Sequence, residues 1–276
     1  MIPRAHITEW RNHAPWVLDA WVEQDLVISR ALVDLFGSGG VGDRLAFRGA
    51  TALYKLYVTP HARYSEDVDL VQTRAEPIGE TLDAIRAVLD PWLGRPTRVF
   101  KEGRVNLVYR FGSEDTPPLP LRLKIEINTR EHFTELGLAR VPYGVENRWY
   151  AGEATVISFA ADELLATKLR ALHQRNKGRD PFDLWLALER HIVDPQRMIA
   201  CFERYMSASG LRVSRAQLEA NLHAKRSDGE FKADIAPLLL PAIAWDFDLA
   251  MDAVLERIVA LLPGDPWKGL EAGSRI

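Results

Sequence analysis

The chain has 276 residues, 47% of them hydrophobic and 26% charged, with a formal net charge of −3 and a single cysteine, Cys201. That length suits one large domain or two small ones, and the composition excludes a chain that is mainly disordered. Also excluded are an internal disulfide, a cysteine-rich zinc site, an apolar run of the roughly 20 residues needed to span a bilayer, and a coat on nucleic acid held by bulk charge, although not a local basic site. Met1-Ile-Pro-Arg-Ala-His carries no apolar signal core, so a cytoplasmic protein is expected.

In chain order, Trp21, Ile28, Leu32 and Leu35 recur at helical spacing with Glu23, Asp25 and Arg30 between them, which predicts an amphipathic helix over 16–36. Gly37-Ser-Gly-Gly40 stops it. A short strand is predicted over 45–48, then Gly49, then a helix over 51–58 that Thr59-Pro60-His61 breaks. A second strand is predicted over 67–71 and a helix over 81–93, ended by Gly94 and Pro96. Strands over 105–111 and 119–128 are joined by the hydrophilic loop 112–118. In the second of them Leu121, Leu123, Ile125 and Ile127 face one way, and Arg122, Lys124, Glu126 and Asn128 the other. Strand signals fade after residue 156, and helices are predicted over 160–174, 181–190, 195–208, 214–222 and 243–262, with a frayed tail over 267–276. The fold class expected is α+β: a mixed sheet with flanking helices over 1–155, followed by a helical domain over 156–276.

Asp67 and Asp69 lie two apart on a predicted strand, so both carboxylates share one face. Two carboxylates that close repel unless a cation sits between them. A hard ion, Mg²⁺ or Mn²⁺, suits such a set, and Glu126 on another polar strand face could add a third carboxylate. Gly49 stands where a strand meets a helix start, whose free N–H groups can receive a phosphate, and Thr51 could add a hydroxyl. Together these suit a nucleoside triphosphate with its metal, whereas Asp-x-Asp alone is usually a solvated strand edge.

Between Lys168 and Arg179 stand Lys168, Arg170, Arg175, Lys177 and Arg179, with His173 and no acid. If one helix continued, Lys168, Arg175 and Arg179 would fall in a narrow sector, either a stripe for a triphosphate or an RNA backbone or a solvated face. Asp180, just before Pro181, is expected to be an N-cap. Asp183 would then sit in the first turn against the helix dipole. Ser65 has no local His and acid to make it a hydrolytic nucleophile. The seven histidines show no metal-ligand spacing, and Trp10, Trp16 and Trp21 are expected in the core.

Phe47-Arg-Gly-Ala-Thr-Ala-Leu53 followed by Arg63-Tyr-Ser-Glu-Asp-Val-Asp-Leu70 resembles motif I of the AbiEii-type (MenT-like) nucleotidyltransferase toxins, within the polymerase-beta-like nucleotidyltransferase superfamily. Val22-Glu-Gln-Asp-Leu26 resembles the acidic helix upstream of that motif. Lys168 through Arg175 to Arg179-Asp-Pro-Phe-Asp-Leu184 resembles its later Lys…Arg-Asp-x-x-Asp-Leu motif. The resemblance runs over about 20–190, with one departure: Ala50 stands where the family usually has a second glycine.

The resemblance implies a nucleotidyltransferase-like sheet and metal-dependent transfer of a nucleoside monophosphate. Asp67, Asp69, Lys168 and Asp183 would be catalytic, with Asp67, Asp69 and Glu126 on the metal. Gly49, Ala50, Thr51, Ser65, Lys168, Arg175 and Arg179 would hold the triphosphate, and Arg170, Arg175, Lys177 and Arg179 the RNA, as one wall of a basic groove. A phosphate on Ser65 would be regulatory, since it adds negative charge beside the carboxylates. The implied acceptor is the 3′ end of tRNA, with blocked translation and growth as the outcome and an AbiEi-like antitoxin as partner. Alternatives are transfer to a small molecule or a protein hydroxyl, and a non-catalytic nucleotide or RNA binder of the same fold.

Overall fold

A computed structural model describes residues 2–269, which divide into two compact units between Ala160 and Ala161. The first unit carries helices α1 (Arg4–Trp10), α2 (Asp19–Gly37), α3 (Gly49–Leu56) and α4 (Gly79–Leu93). Its strands are β1 (Leu45–Arg48), β2 (Asp67–Gln72), β3 (Thr97–Lys101), β4 (Arg104–Gly112), β5 (Pro120–Asn128), β6 (Leu138–Asn147) and β7 (Tyr150–Phe159). They make one seven-stranded mixed sheet in the order β3-β4-β5-β2-β1-β7-β6. β2 pairs parallel to β5 and antiparallel to β1, and β1 pairs parallel to β7.

The alternation expected in β5 is what the sheet uses. Leu123, Ile125 and Ile127 are wholly buried, while Lys124 and Glu126 on the opposite face are partly exposed. Helix α2 is buried along most of its length, including the polar run Glu23, Gln24 and Asp25. These three groups are tied rather than solvated. Glu23 Oε2 accepts the Glu114 N–H at 2.8 Å, and Gln24 donates to the Arg122 carbonyl at 2.8 Å. Asp25 accepts from the indoles of Trp10 (2.8 Å) and Trp16 (3.2 Å) and from Lys55 Nζ (2.7 Å). One carboxylate thereby pins α1 and α3 to α2, and Trp10 and Trp16 are core residues as expected, whereas Trp21 is half-buried.

The second unit holds α5 (Ala161–Gln174), α6 (Arg179–Glu189), α7 (Pro195–Ala208), α8 (Arg215–Arg226), α9 (Gly229–Ala233) and α10 (Phe247–Arg257), with 3₁₀ turns at Ala236–Leu238 and Val259–Leu261. Its helix starts are written in the sequence. Asp194 accepts from the N–H groups of Gln196 and Arg197 ahead of α7, and Ser214 with Gln217 forms a capping box on α8. Leu165, Leu169, Phe182, Met198 and Met251 are fully buried in this unit.

Several elements depart from expectation. The strand β3 and the hairpin β6–β7 are absent from the predicted set. β6 contains Pro142 and Gly144, which disfavour a central strand, but it lies on the edge of the sheet, where they are tolerated. The helix predicted over 243–262 is α10 followed by a 3₁₀ turn. Of the tail expected to fray, Trp267 is held: its N–H donates to Glu219 at 2.6 Å and its ring lies 4.9 Å from that of His223. Residues 270–276 lie outside the described residues.

Candidate active site

β1 ends at Arg48, which pairs in register with Asp69 of β2. The chain then turns into α3 through Gly49 at φ +82°. A Cβ built on Gly49 would lie 2.3 Å from Asp69 Oδ2. Glycine is therefore required twice here, for its left-handed backbone and for the carboxylate that rests on it. The positive φ falls on Gly49 alone of the pair, so Ala50 sits in ordinary helical backbone. No side chain caps the start of α3. Thr51 is buried, and its Oγ1 lies 2.9 Å from Ser65 Oγ.

On β2, Asp67 and Asp69 stand on one face, next to Lys124 and Glu126 of β5 in parallel register. Asp67 Oδ2 lies 3.4 Å from Lys124 Nζ, but Asp67 Oδ1 is buried and has no hydrogen-bond partner. Burial and the neighbouring Asp67 push the Asp69 carboxyl up to about 6, with Glu126 adding to the rise and Arg48 opposing it. Burial alone would lower the Lys124 ammonium, but Asp67, Glu126 and Asp69 outweigh it and hold the group above its ordinary value. An orphaned carboxylate oxygen beside a carboxyl reluctant to ionise is a site short of positive charge. A divalent cation fits it.

Glu126 is engaged elsewhere on its strand face, 3.3 Å from Lys124 Nζ and 3.4 Å from Arg104 Nη1. Among the described residues no group of three or more His, Cys, Asp or Glu side chains is arranged to hold a metal ion. The two aspartates are thus what β2 would offer a divalent cation, which also takes water and phosphate oxygens. Lys124 and Arg48 are the two residues of this cluster that sequence reasoning did not single out. Lys124 could have been found, because it shares the polar face of β5 with Glu126. Arg48, bound to Glu131 at 2.6 Å, follows only from the β1–β2 register.

In the helical unit, Lys168 is buried between Asp180 (3.2 Å) and Asp183 (2.9 Å). Arg175 donates to Asp180 through Nε and Nη2, each at 2.8 Å. Burial alone would raise the Asp180 carboxyl, but Lys168 and Arg175 together hold it below its ordinary value.

Two expectations are corrected here. Asp180 is not an N-cap: α6 begins one residue earlier, at Arg179, and Asp180 lies buried in its first turn. Nor do Lys168, Arg175 and Arg179 form a stripe on one helix, because α5 ends at Gln174. Lys225 Nζ takes the carbonyls of Leu172, His173 (3.2 Å) and Arg175 (3.0 Å) at that end, which satisfies groups a continuing helix would need. Gly178 follows, where a Cβ would meet the Phe231 carbonyl oxygen at 1.8 Å. Arg179 and Lys177 then pair with Asp234 at 3.2 and 3.6 Å. Arg170 lies 5.1 Å over the ring of Tyr205.

Comparison with known proteins bears on this arrangement. A family model described as nucleotidyl transferase AbiEii toxin of type IV toxin–antitoxin systems matches residues 30–253. The fold is similar to that of MenT4, a nucleotidyltransferase toxin from Mycobacterium tuberculosis, with a TM-score of 0.62 and 18% identity over 95% of this chain and 90% of that one. It is also similar to a protein from H. pylori described as a nucleotidyltransferase, with a TM-score of 0.51 and 16% identity over 89% of this chain and 95% of that one. No curated protein matches the chain. Among the described residues no helix is long and apolar enough to cross a membrane.

Proposed function

The chain belongs to the AbiEii family of nucleotidyl transferase toxins of type IV toxin–antitoxin systems, and from that membership we propose that it transfers a nucleoside monophosphate from a nucleoside triphosphate to the 3′ end of tRNA, with Mg²⁺, and so blocks translation and growth. Membership itself implies a triphosphate substrate, a divalent metal and an antitoxin partner. The proposal adds an AbiEi-like protein as that partner and the cytoplasm as the place of action.

The observation that carries the reading is the buried, unpartnered Asp67 Oδ1 beside Asp69, whose own carboxylate rests on Gly49 at the head of α3. Asp67 and Asp69 hold the divalent ion, which supplies Lewis-acid stabilisation of the phosphoryl oxygens when bound. The uncapped N–H groups of α3 receive the donor's phosphate. Thr51 and Ser65 present the paired hydroxyls that line this turn, and a phosphate on Ser65 would put two negative charges where the donor's phosphate belongs. Lys124 stands between Asp67 and Glu126 and limits the repulsion between them. Lys168 and Asp183 enter by their match to the family motif, and their buried ion pair supports a shared role. Catalysis of this kind is positioning plus electrostatics.

The test is incubation with each labelled nucleoside triphosphate, Mg²⁺ and total RNA. Label is expected in the tRNA fraction. Label only on protein or on a small hydroxyl compound would overturn the acceptor. No transfer, with triphosphate binding unaltered in Asp67→Ala, would overturn the activity.

A further inference from the structure

The sheet has a second feature on the face that carries Asp67 and Asp69. In-register residues on neighbouring strands point the same way, so the pairing defines rows across β2, β5, β4 and β3. One row runs Asp69, Glu126, Asn106, Val99, and the next Asp67, Lys124, Val108, Thr97. Flanking them are a row with Arg104 and Lys101 at one end and a row with Arg122 and Arg110 at the other. Arg104 and Arg110 are six positions apart on β4, about 20 Å at roughly 3.3 Å per residue. Two cationic rims thus border a largely neutral floor of Thr97, Val99, Asn106 and Val108, and the floor leads to the aspartates.

The rims are accessible. The side chains of Arg104 and Arg122 are 46% and 56% exposed, and their carboxylate contacts are 3.4 Å to Glu126 and 3.6 Å to Glu66. Exposed pairs of this kind hold weakly and can be exchanged for phosphate. Lys101 and Arg110 are also exposed. Between Arg95 and Arg110 the chain has five cations and one acid, Glu102, although its net charge is −3. Glu102 is itself paired with Arg130. The cations between Lys168 and Arg179 differ in that their carboxylate partners are more enclosed: Asp180 and Asp183 are fully buried and Asp234 is 17% exposed, against 25% for Glu126 and 38% for Glu66.

We propose that the β3–β4–β5 face is the acceptor track, on which Lys101, Arg104, Arg110 and Arg122 grip the phosphate backbone of RNA. This rests on the reading of RNA as acceptor. Charge complementarity favours a polyanion, and the two separated rims suit a backbone that crosses the floor rather than a single anion.

The experiment uses the full chain and its Lys101→Gln/Arg104→Gln/Arg110→Gln variant, with Lys101→Glu alone as a second, minimal change on the edge strand. Anisotropy of labelled tRNA is read from 50 to 200 mM salt, with binding of a labelled nucleoside triphosphate as the control for the donor site. The triple variant is expected to bind tRNA at least ~10-fold more weakly and to lose about 2 from the slope of log affinity against log salt. Triphosphate binding should be retained. Wild-type affinity and slope in both variants would overturn the track and leave the RNA reading standing, with the face then open to an acidic protein. A wild-type chain that ignores RNA yet labels a protein or small-molecule hydroxyl would overturn the RNA reading, and the track with it.

Discussion

Gly49 and Asp69 are one device. The carboxylate occupies the space a Cβ would take, so Gly49→Ala must both strain the backbone at φ +82° and displace Asp69. A stability loss of about 1–3 kcal/mol is expected in urea titration, together with weaker Mg²⁺ binding. Asp69 also carries a pH signature. With its carboxyl raised to about 6 from 3.8, the folded protein holds this proton more tightly than the unfolded chain does. The group therefore favours the folded state below about 3.8, and that contribution is lost as pH rises through about 6. A bound cation competes with the same proton. Mg²⁺ affinity, read by calorimetry, should fall as pH drops through about 6. Asp69→Asn should melt a few degrees higher than the wild type in EDTA while transfer falls at least ~100-fold.

Elements are joined by a few buried ion pairs as well as by apolar faces. Asp25 on α2 and Lys55 on α3 lie 2.7 Å apart with side chains 2% and 5% exposed, and this pair fixes the helix whose start carries Gly49. Removing one partner strands a charge: Asp25→Ala should cost about 3–5 kcal/mol, whereas Asp25→Leu with Lys55→Met should recover only part of it, because the buried Trp10 and Trp16 indoles still lose their acceptor. Denaturant midpoints of the two variants check this. Lys168 between Asp180 and Asp183 obeys the same rule. Lys168→Ala should lower both the melting temperature and transfer, so its activity has to be compared at a temperature where the variant is folded. In the sheet, the parallel β2–β5 register sets Asp67 beside Lys124 and Asp69 beside Glu126. A slip of one residue would turn both aspartates into the apolar face.

At the scale of the whole molecule, the toxin reading makes one cellular prediction. Induced expression of the chain should arrest growth, and Asp67→Ala at equal abundance should not. Arrest by that variant would separate toxicity from the metal site. A net charge of −3 gives no hint of a local basic face, because Lys101, Arg104, Arg110 and Arg122 are brought together only by the pairing of β3, β4 and β5.

Sequence alone determined the local matters: the helices with periodic apolar faces, the alternating strand β5, the Asp-x-Asp strand, the glycine at the strand-to-helix turn, and the family motifs at Phe47–Leu70 and Lys168–Leu184. Spacing along one element decides which side chains share a face, and spacing is visible in a string of letters. Tertiary structure decided what depends on partners distant in the chain. It made strands of β3, β6 and β7, engaged Glu126 with Arg104 and Arg48 with Glu131, and buried Asp180 against Lys168 of the preceding helix instead of leaving it a cap. A charge or a weak strand is committed by whatever folding brings against it, and that neighbour can be a hundred residues away.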